Sequence, residues 1–139
     1  MDARIFFIGQ APGKQEDLSG RPFVGRAGKF LNKLFLKYKI SREKVFITST
    51  VKCFPPRNRP PSKEEIKACK SFTIKQLKAI NPEIIVFLGR VAQQSFQDEP
   101  FFRGKTVIRA VHPASAMRFQ KMRERIEKDF LKIKRAIER

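Results

Sequence analysis

Four short apolar runs alternate with stretches of helical periodicity, and this alternation decides the class of fold. The runs are Arg4–Ile8, Val45–Thr50, Glu83–Leu88 and Thr106–Val111. Strands of a parallel sheet are buried on both faces, so they read as continuous apolar runs. The pattern predicts an α/β fold, a three-layer α/β/α sandwich with a central four-stranded, mostly parallel sheet. The length of 139 residues predicts one domain, residues 1–139.

The helix between the second and third runs has recognisable ends. Ser62 and Glu65 have the spacing of a capping box, and Asn81-Pro82 ends the periodic stretch. Its apolar positions are predicted to face the core, and they are Ile66, Cys69, Phe72, Leu77 and Ile80.

The other helices are predicted from apolar spacing alone. A first helix follows the glycine-rich loop, and a short one is expected at Arg90–Phe96. The last, at about Phe119–Ile137, places six apolar residues at helical intervals: Phe119, Met122, Ile126, Phe130, Ile133 and Ile137.

The charge balance points to a polyanionic partner. The chain has 31 Lys and Arg against 13 Asp and Glu, a net charge of +18. Such an excess is most often found in proteins that bind nucleic acid. No apolar run approaches the roughly 20 residues of a membrane span, and the first strand begins too early for a signal peptide. We therefore expect a cytoplasmic protein of prokaryotic type, associated with the nucleoid.

The least ordinary segments all follow predicted strands. They are Gly9–Gly25, Ser49–Pro61, Gly89-Arg90 and His112–Arg118. In open parallel sheets, ligands bind beyond the carboxyl ends of the strands. The sequence thus predicts a binding site built from these four segments.

These segments, in this order, resemble the uracil-DNA glycosylase superfamily, and most closely its iron–sulfur-type branch, family 4. The motifs that carry the resemblance are GQAPG at Gly9–Gly13, GRPFVG at Gly20–Gly25, TSTVKC at Thr48–Cys53 and HPASAMR at His112–Arg118. The resemblance implies a monofunctional enzyme of base-excision repair. Such an enzyme flips uracil out of DNA and hydrolyses its N-glycosidic bond, leaving an abasic site.

The resemblance assigns the chemistry to few residues. His112 would donate a hydrogen bond to the negative charge that develops on the base, and Phe23 would stack on the flipped base. The backbone N–H groups of Gln10 and Ala11 would hold the base oxygens. Asp17, with Glu16 as the second choice, is the remaining carboxylate that could handle the attacking water.

Two positions depart from the family pattern within the pocket. Gln10 stands where the family has Glu, and an amide can orient water but cannot take its proton. Ser49 stands where an Asn reads the edge of uracil, and a shorter hydroxyl reaches less of the base. Hypoxanthine or xanthine therefore remain alternative substrates. A non-catalytic nucleic-acid-binding relative is the alternative from another class.

DNA contacts are expected on two of the segments. Met117 takes the place of the family's leucine wedge, which fills the gap left by the flipped base. Basic residues on both segments, extending to Lys63, Lys121, Arg123 and Arg125, would follow the phosphates. The predicted DNA-binding residues are Lys52, Arg57, Arg59, Ser115, Met117 and Arg118.

Cys53 and Cys69 match two of the four cluster ligands of family 4. A cluster normally needs four thiolates, so we expect no iron–sulfur cluster and no other metal in the monomer. A disulfide between the two, or a cluster shared between chains, is left open. We expect the protein to be a monomer. Its expected partner is DNA containing a deaminated base, and no association with a membrane is expected.

Overall fold

The first apolar run forms the central strand of a parallel sheet. Strand β1 (Ile5–Gly9) is buried along its whole length. Strands β2 (Val45–Ser49) and β3 (Ile84–Leu88) pair with its two edges, and β4 (Thr106–Ala110) pairs with β3. The order is β2-β1-β3-β4 with all strands parallel, which confirms the predicted sheet. The computed structural model describes residues 4–9, 26–49, 62–96 and 99–139.

The register brings the carboxyl ends of the strands to one edge of the sheet. Gly9 lies opposite Ser49, and Leu88 lies opposite Ala110. The backbone N–H of Gly89 donates to the carbonyl of Ala110 at 2.9 Å, so the turn after β3 is tied to the end of β4. The segments singled out in the sequence therefore begin at a common edge.

Three helices cover one face of the sheet. They are α1 (Arg26–Lys37), α4 (Pro113–Arg118) and α5 (Gln120–Glu138). Phe7 of β1 packs edge-on against Phe35 of α1, with ring centroids 5.3 Å apart, and both contact the ring of Phe130 of α5. Aromatic pairs of this geometry stabilise a core beyond the area that they bury.

The opposite face is covered by α2 (Lys63–Ile80) and α3 (Arg90–Phe96), with a 3₁₀ turn at Pro100–Phe102. Its core contains Phe87 of β3 stacked on Phe96 of α3 at 6.2 Å. Two helical layers enclose the sheet, so the predicted three-layer sandwich is confirmed.

Local chemistry sets the ends of α2 as the sequence predicts. The Ser62 hydroxyl accepts from the Glu65 N–H at 3.2 Å, and the Glu65 carboxylate accepts from the Ser62 N–H at 3.0 Å. At the other end Asn81 takes the left-handed conformation, with φ 50°, and its N–H donates to the carbonyl of Leu77. The capping box and the Asn-Pro stop are confirmed.

Two predicted core residues are exposed. Phe72 is 54% exposed, because the inward face of α2 is defined by Thr73 and Leu77, which are fully buried. Phe119 is 57% exposed, because the chain leaves the helical conformation there, with φ −125° and ψ 129°, and separates α4 from α5. In the part of the chain that the structure describes, no helix is long and apolar enough to cross a membrane.

Candidate active site

His112 lies where strand β4 gives way to helix α4. Its ring nitrogen Nδ1 accepts a hydrogen bond from the Ala114 N–H at 3.1 Å, so the imidazole is the N-cap of α4. Its carbonyl accepts from Ser115 and Ala116, and Pro113 occupies the first helical position. The backbone and one side of the ring are therefore held in place.

The capping hydrogen bond determines which ring nitrogen of His112 carries the proton. Because the Ala114 N–H can only donate, Nδ1 of His112 must present a lone pair, and the proton of the neutral ring is carried by Nε2. Burial lowers the pKa of His112 from 6.5, so the ring is neutral at physiological pH. The arrangement gives a neutral N–H donor at the carboxyl edge of the sheet.

Gly89 packs directly against this histidine. Its φ is +93°, and a Cβ added there would lie 3.2 Å from the Cβ of His112. A side chain at this position would be strained in its backbone and would press on the imidazole. Glycine at the end of β3 is therefore required by the placement of the histidine.

Gly89→Ala is expected to reduce catalysis more than stability explains. Gly104 supplies the matched control, because its φ is +80° and a Cβ there meets nothing within 4 Å. Both alanine variants should lose about 1–3 kcal/mol of unfolding free energy through backbone strain. Only Gly89→Ala should also lower the single-turnover rate of catalysis, by roughly tenfold to a hundredfold, because it displaces His112. Equal rates in the two variants would contradict this role for Gly89.

A carboxylate from α5 fixes the chain just before His112. Oδ2 of Asp129 accepts from the Val111 N–H at 3.0 Å. A hydrogen bond to a charged acceptor is stronger than one between neutral groups. The segment that carries His112 is thus held to the sheet through Gly89 and to α5 through Asp129.

A groove of about 480 Å³ opens beside α4. Its walls are Arg26 and Ala27 of α1, four residues of α4 that include Met117 and Arg118, and Phe119. Of the predicted DNA-binding residues, Ser115, Met117 and Arg118 meet here. Arg26 and Phe119 were not predicted to line a site. Arg26 could have been found, because it lies between the glycine-rich loop and a predicted helix.

The predicted basic surface is exposed where the structure describes it. Arg118, Lys121 and Arg125 are exposed. Arg123 is exposed as well, and its Nε donates to the carbonyl of Ala116 at 3.4 Å while its guanidinium carbon lies 5.9 Å from the centroid of the Phe30 ring. Arg123 therefore links α5 to α4 and α1, and its predicted contact with the phosphates stays a prediction.

The remaining predicted residues lie in other positions. The backbone of Ser49 ends β2, opposite Gly9, and Cys69 is half-buried on α2. Among the described residues, no group of three or more His, Cys, Asp or Glu could hold a metal ion. Outside the described residues lie Gln10, Ala11, Glu16, Asp17, Phe23, Lys52, Cys53, Arg57 and Arg59.

Comparison with known proteins gives consistent matches. Residues 1–136 match the family model described as the uracil DNA glycosylase superfamily. The chain is 41% identical to the Type-4 uracil-DNA glycosylase of Archaeoglobus fulgidus, across 94% of this chain and 75% of that relative. It is 43% identical to the Type-4 uracil-DNA glycosylase of Thermotoga maritima, across 85% and 68%. The enzyme of that name from Saccharolobus solfataricus is 40% identical, across 97% and 72%.

Proposed function

Since this chain belongs to the uracil-DNA glycosylase superfamily, we propose that it removes uracil from DNA by hydrolysing the N-glycosidic bond. The observation that carries the proposal is the neutral imidazole of His112 at the carboxyl edge of the sheet, next to the helix that lines the groove. The relatives named as Type-4 uracil-DNA glycosylases are 40%, 41% and 43% identical to this chain over the aligned residues. The product is an abasic site in the DNA.

The reaction requires two developing charges to be stabilised. As the bond between base and deoxyribose breaks, the sugar becomes oxocarbenium-like and the pyrimidine becomes anionic. In our proposal Nε2–H of His112 donates to the O2 oxygen of the departing base. A neutral donor suits this task, because the lowered pKa keeps the proton arrangement constant at physiological pH.

The glycine-rich loop would complete the pocket. Phe23 stacks on the flipped base, and the N–H groups of Gln10 and Ala11 hold its oxygens. Asp17 positions the water that attacks the sugar, with the Gln10 amide as a second contact. The assignment rests on the family motif and on the position of Gly9, which leads from the central strand into this loop.

The DNA strand would follow the groove beside α4. Ser115, Met117 and Arg118 line it, and the net charge of +18 favours a polyanion. Lys52, Arg57 and Arg59 would extend the phosphate contacts. We propose that the enzyme acts as a monomer on chromosomal DNA in the cytoplasm, because DNA carrying a deaminated base is its only required partner.

The cysteines do not supply an iron–sulfur cluster in this proposal. The 139 residues contain two cysteines, Cys53 and Cys69, whereas a cluster held by thiolates takes four. We therefore propose that these 139 residues excise uracil without a cluster, with base polarisation by His112.

Incubation with defined lesions tests the function. The purified protein is mixed with duplex and single-stranded oligonucleotides carrying uracil, hypoxanthine or xanthine, and abasic sites are then cleaved with alkali. We expect cleavage of the uracil substrates. Cleavage of the purine lesions alone would assign a different deaminated base, in line with Ser49 replacing the family's Asn. DNA binding without cleavage of any substrate would contradict an enzymatic function.

A further inference from the structure

Phe119 is an exposed aromatic residue on a rigid backbone. The ring is 57% exposed, although it lies between two helices. Its N–H donates to the carbonyl of Ser115 at 3.0 Å, and its own carbonyl accepts from the Arg123 N–H at 3.0 Å. These two hydrogen bonds tie the backbone of Phe119 to the end of α4 and to the start of α5. The direction in which its side chain leaves the backbone is therefore fixed.

The local structure gives no reason for phenylalanine at this position. Phe119 is the N-cap of α5, and its side chain makes no capping hydrogen bond. N-caps favour Ser, Thr, Asp and Asn, whose oxygen satisfies a free N–H of the first turn. An apolar ring here leaves that N–H uncapped by a side chain and leaves its own surface in water, so a helix-forming role does not explain it.

The surroundings of the ring are cationic. Phe119 lines the groove together with Met117, Arg26 and Arg118, and the exposed Lys121 follows it on α5. Within the described part of the chain, no ion pair neutralises these three cations. An apolar ring among unneutralised cations matches a ligand that combines flat apolar surfaces with regularly spaced negative charges, as a DNA strand does.

We propose that Phe119 contacts DNA directly, packing against a nucleoside that neighbours the excised nucleotide, while Arg26 and Arg118 bind the flanking phosphates. This inference rests on the proposed function, because it takes the ligand in the groove to be the substrate strand. Met117 and Phe119 then form one apolar edge of the groove. The ring keeps the neighbouring nucleoside in place after the target base has left the stack.

The key variant separates DNA contact from helix stability. Phe119→Ser removes the ring and supplies a favoured N-cap, so the melting temperature should stay the same or rise. Phe119→Tyr keeps an aromatic face. Leu36→Ala is the matched control, because Leu36 is 81% exposed on α1 and does not line the groove. Each change is made in wild-type protein and, for binding, together with His112→Asn so that the DNA stays intact.

Binding is measured by fluorescence anisotropy on a uracil-containing duplex, with 2-aminopurine placed on either side of the uracil in separate probes. We expect Phe119→Ser to raise the dissociation constant about tenfold, which is typical of the loss of one base–aromatic contact. It should also remove the fluorescence change of the 2-aminopurine on one side. Phe119→Tyr and Leu36→Ala should behave like the parent protein in both measurements.

The outcomes distinguish this inference from the function on which it rests. If the wild-type protein excises uracil, and Phe119→Ser in the His112→Asn background matches that background in dissociation constant and 2-aminopurine signal, only the role of Phe119 is overturned. Loss of a dimer in Phe119→Ser with unchanged DNA affinity would also overturn it, because the ring would then serve a second copy of the chain. Wild-type protein that neither binds nor cuts the uracil duplex would overturn both.

Discussion

Replacing His112 by alanine should lower the single-turnover rate of uracil excision by about two to three orders of magnitude. Losses of this size are typical when one preorganised donor to a developing oxyanion is removed. The imidazole is the donor in our account, because its Nδ1 is occupied by the Ala114 N–H and its proton therefore lies on Nε2. The rate is measured at enzyme excess, so that DNA binding does not limit it.

Because His112 caps α4, its replacement by alanine needs a control for stability. His112→Ala also removes the N-cap of α4, which costs about 0.5–2 kcal/mol. His112→Asn keeps a capping oxygen but is too short to reach the base as an imidazole would. We expect His112→Asn to melt close to wild type and yet excise as slowly as His112→Ala. Wild-type excision in either variant would refute the catalytic role.

The same residue sets the expected pH dependence. The pKa of His112 is lowered by burial, and it is the only histidine in the chain. Protonation in acid would occupy Nδ1 and break the bond from Ala114. Excision should therefore be constant above pH 6.5, the unperturbed histidine value. It should fall as the pH drops through the lowered pKa, and stability should decrease in the same range.

Ser49→Asn should change the choice of base more than the rate. The backbone of Ser49 ends β2 opposite Gly9, at the edge where the pocket is proposed. An asparagine amide can donate and accept at once, and so can pair with both N3–H and O4 of uracil. A site built to satisfy such groups discriminates strongly against bases that lack them. We expect the ratio of uracil to hypoxanthine excision to rise at least tenfold.

A second serine provides the control for this change. Ser41 is exposed and precedes the 3₁₀ turn at Arg42–Lys44, which leads into the amino end of β2, whereas Ser49 lies at the carboxyl end of that strand. Ser41→Asn should leave the ranking of lesions unchanged. An unchanged ranking in Ser49→Asn as well would count against Ser49 as a specificity residue.

Local patterns in the sequence predicted most of the framework. Strands β1 and β3 were found because strands buried on both faces must be apolar throughout, whereas β4 was found although most of its residues are exposed. The ends of α2 were found because Ser62, Glu65 and Asn81 act through contacts only a few residues long. The placement of β1 between β2 and β3 was not predicted, because strand order depends on contacts between distant segments.

Apolar periodicity wrongly predicted a buried helical residue at Phe119, where the chain bends although the apolar spacing continues. Phe119, Met122 and Ile126 have helical spacing, yet only Ile126 of the three is fully buried, since α5 begins after Phe119. The exposed ring beside the groove was missed for the same reason. The contact of Arg123 with the Ala116 carbonyl was not predicted, because a cation in a basic run gives no sign of the carbonyl that it reaches.

The tautomer of His112 could not be predicted from the sequence. The sequence shows a histidine followed by proline, whereas the proton position depends on the 3.1 Å contact between Nδ1 and the Ala114 N–H. The contact of Gly89 with the ring also joins residues 23 positions apart in the chain, so no local pattern encodes it. Chemistry at this edge of the sheet is therefore set by tertiary contacts.

The most direct test is the ¹⁵N NMR spectrum of the imidazole, which is unambiguous because the chain has one histidine. Protein labelled at histidine is studied at pH 7, alone and with duplex DNA carrying a 2′-fluorinated deoxyuridine that resists cleavage. We predict an unprotonated Nδ1 and a protonated Nε2 in both states, with the Nε2 proton shifting downfield when the DNA binds. A proton on Nδ1, or an Nε2 signal unchanged by the bound DNA, would contradict the account.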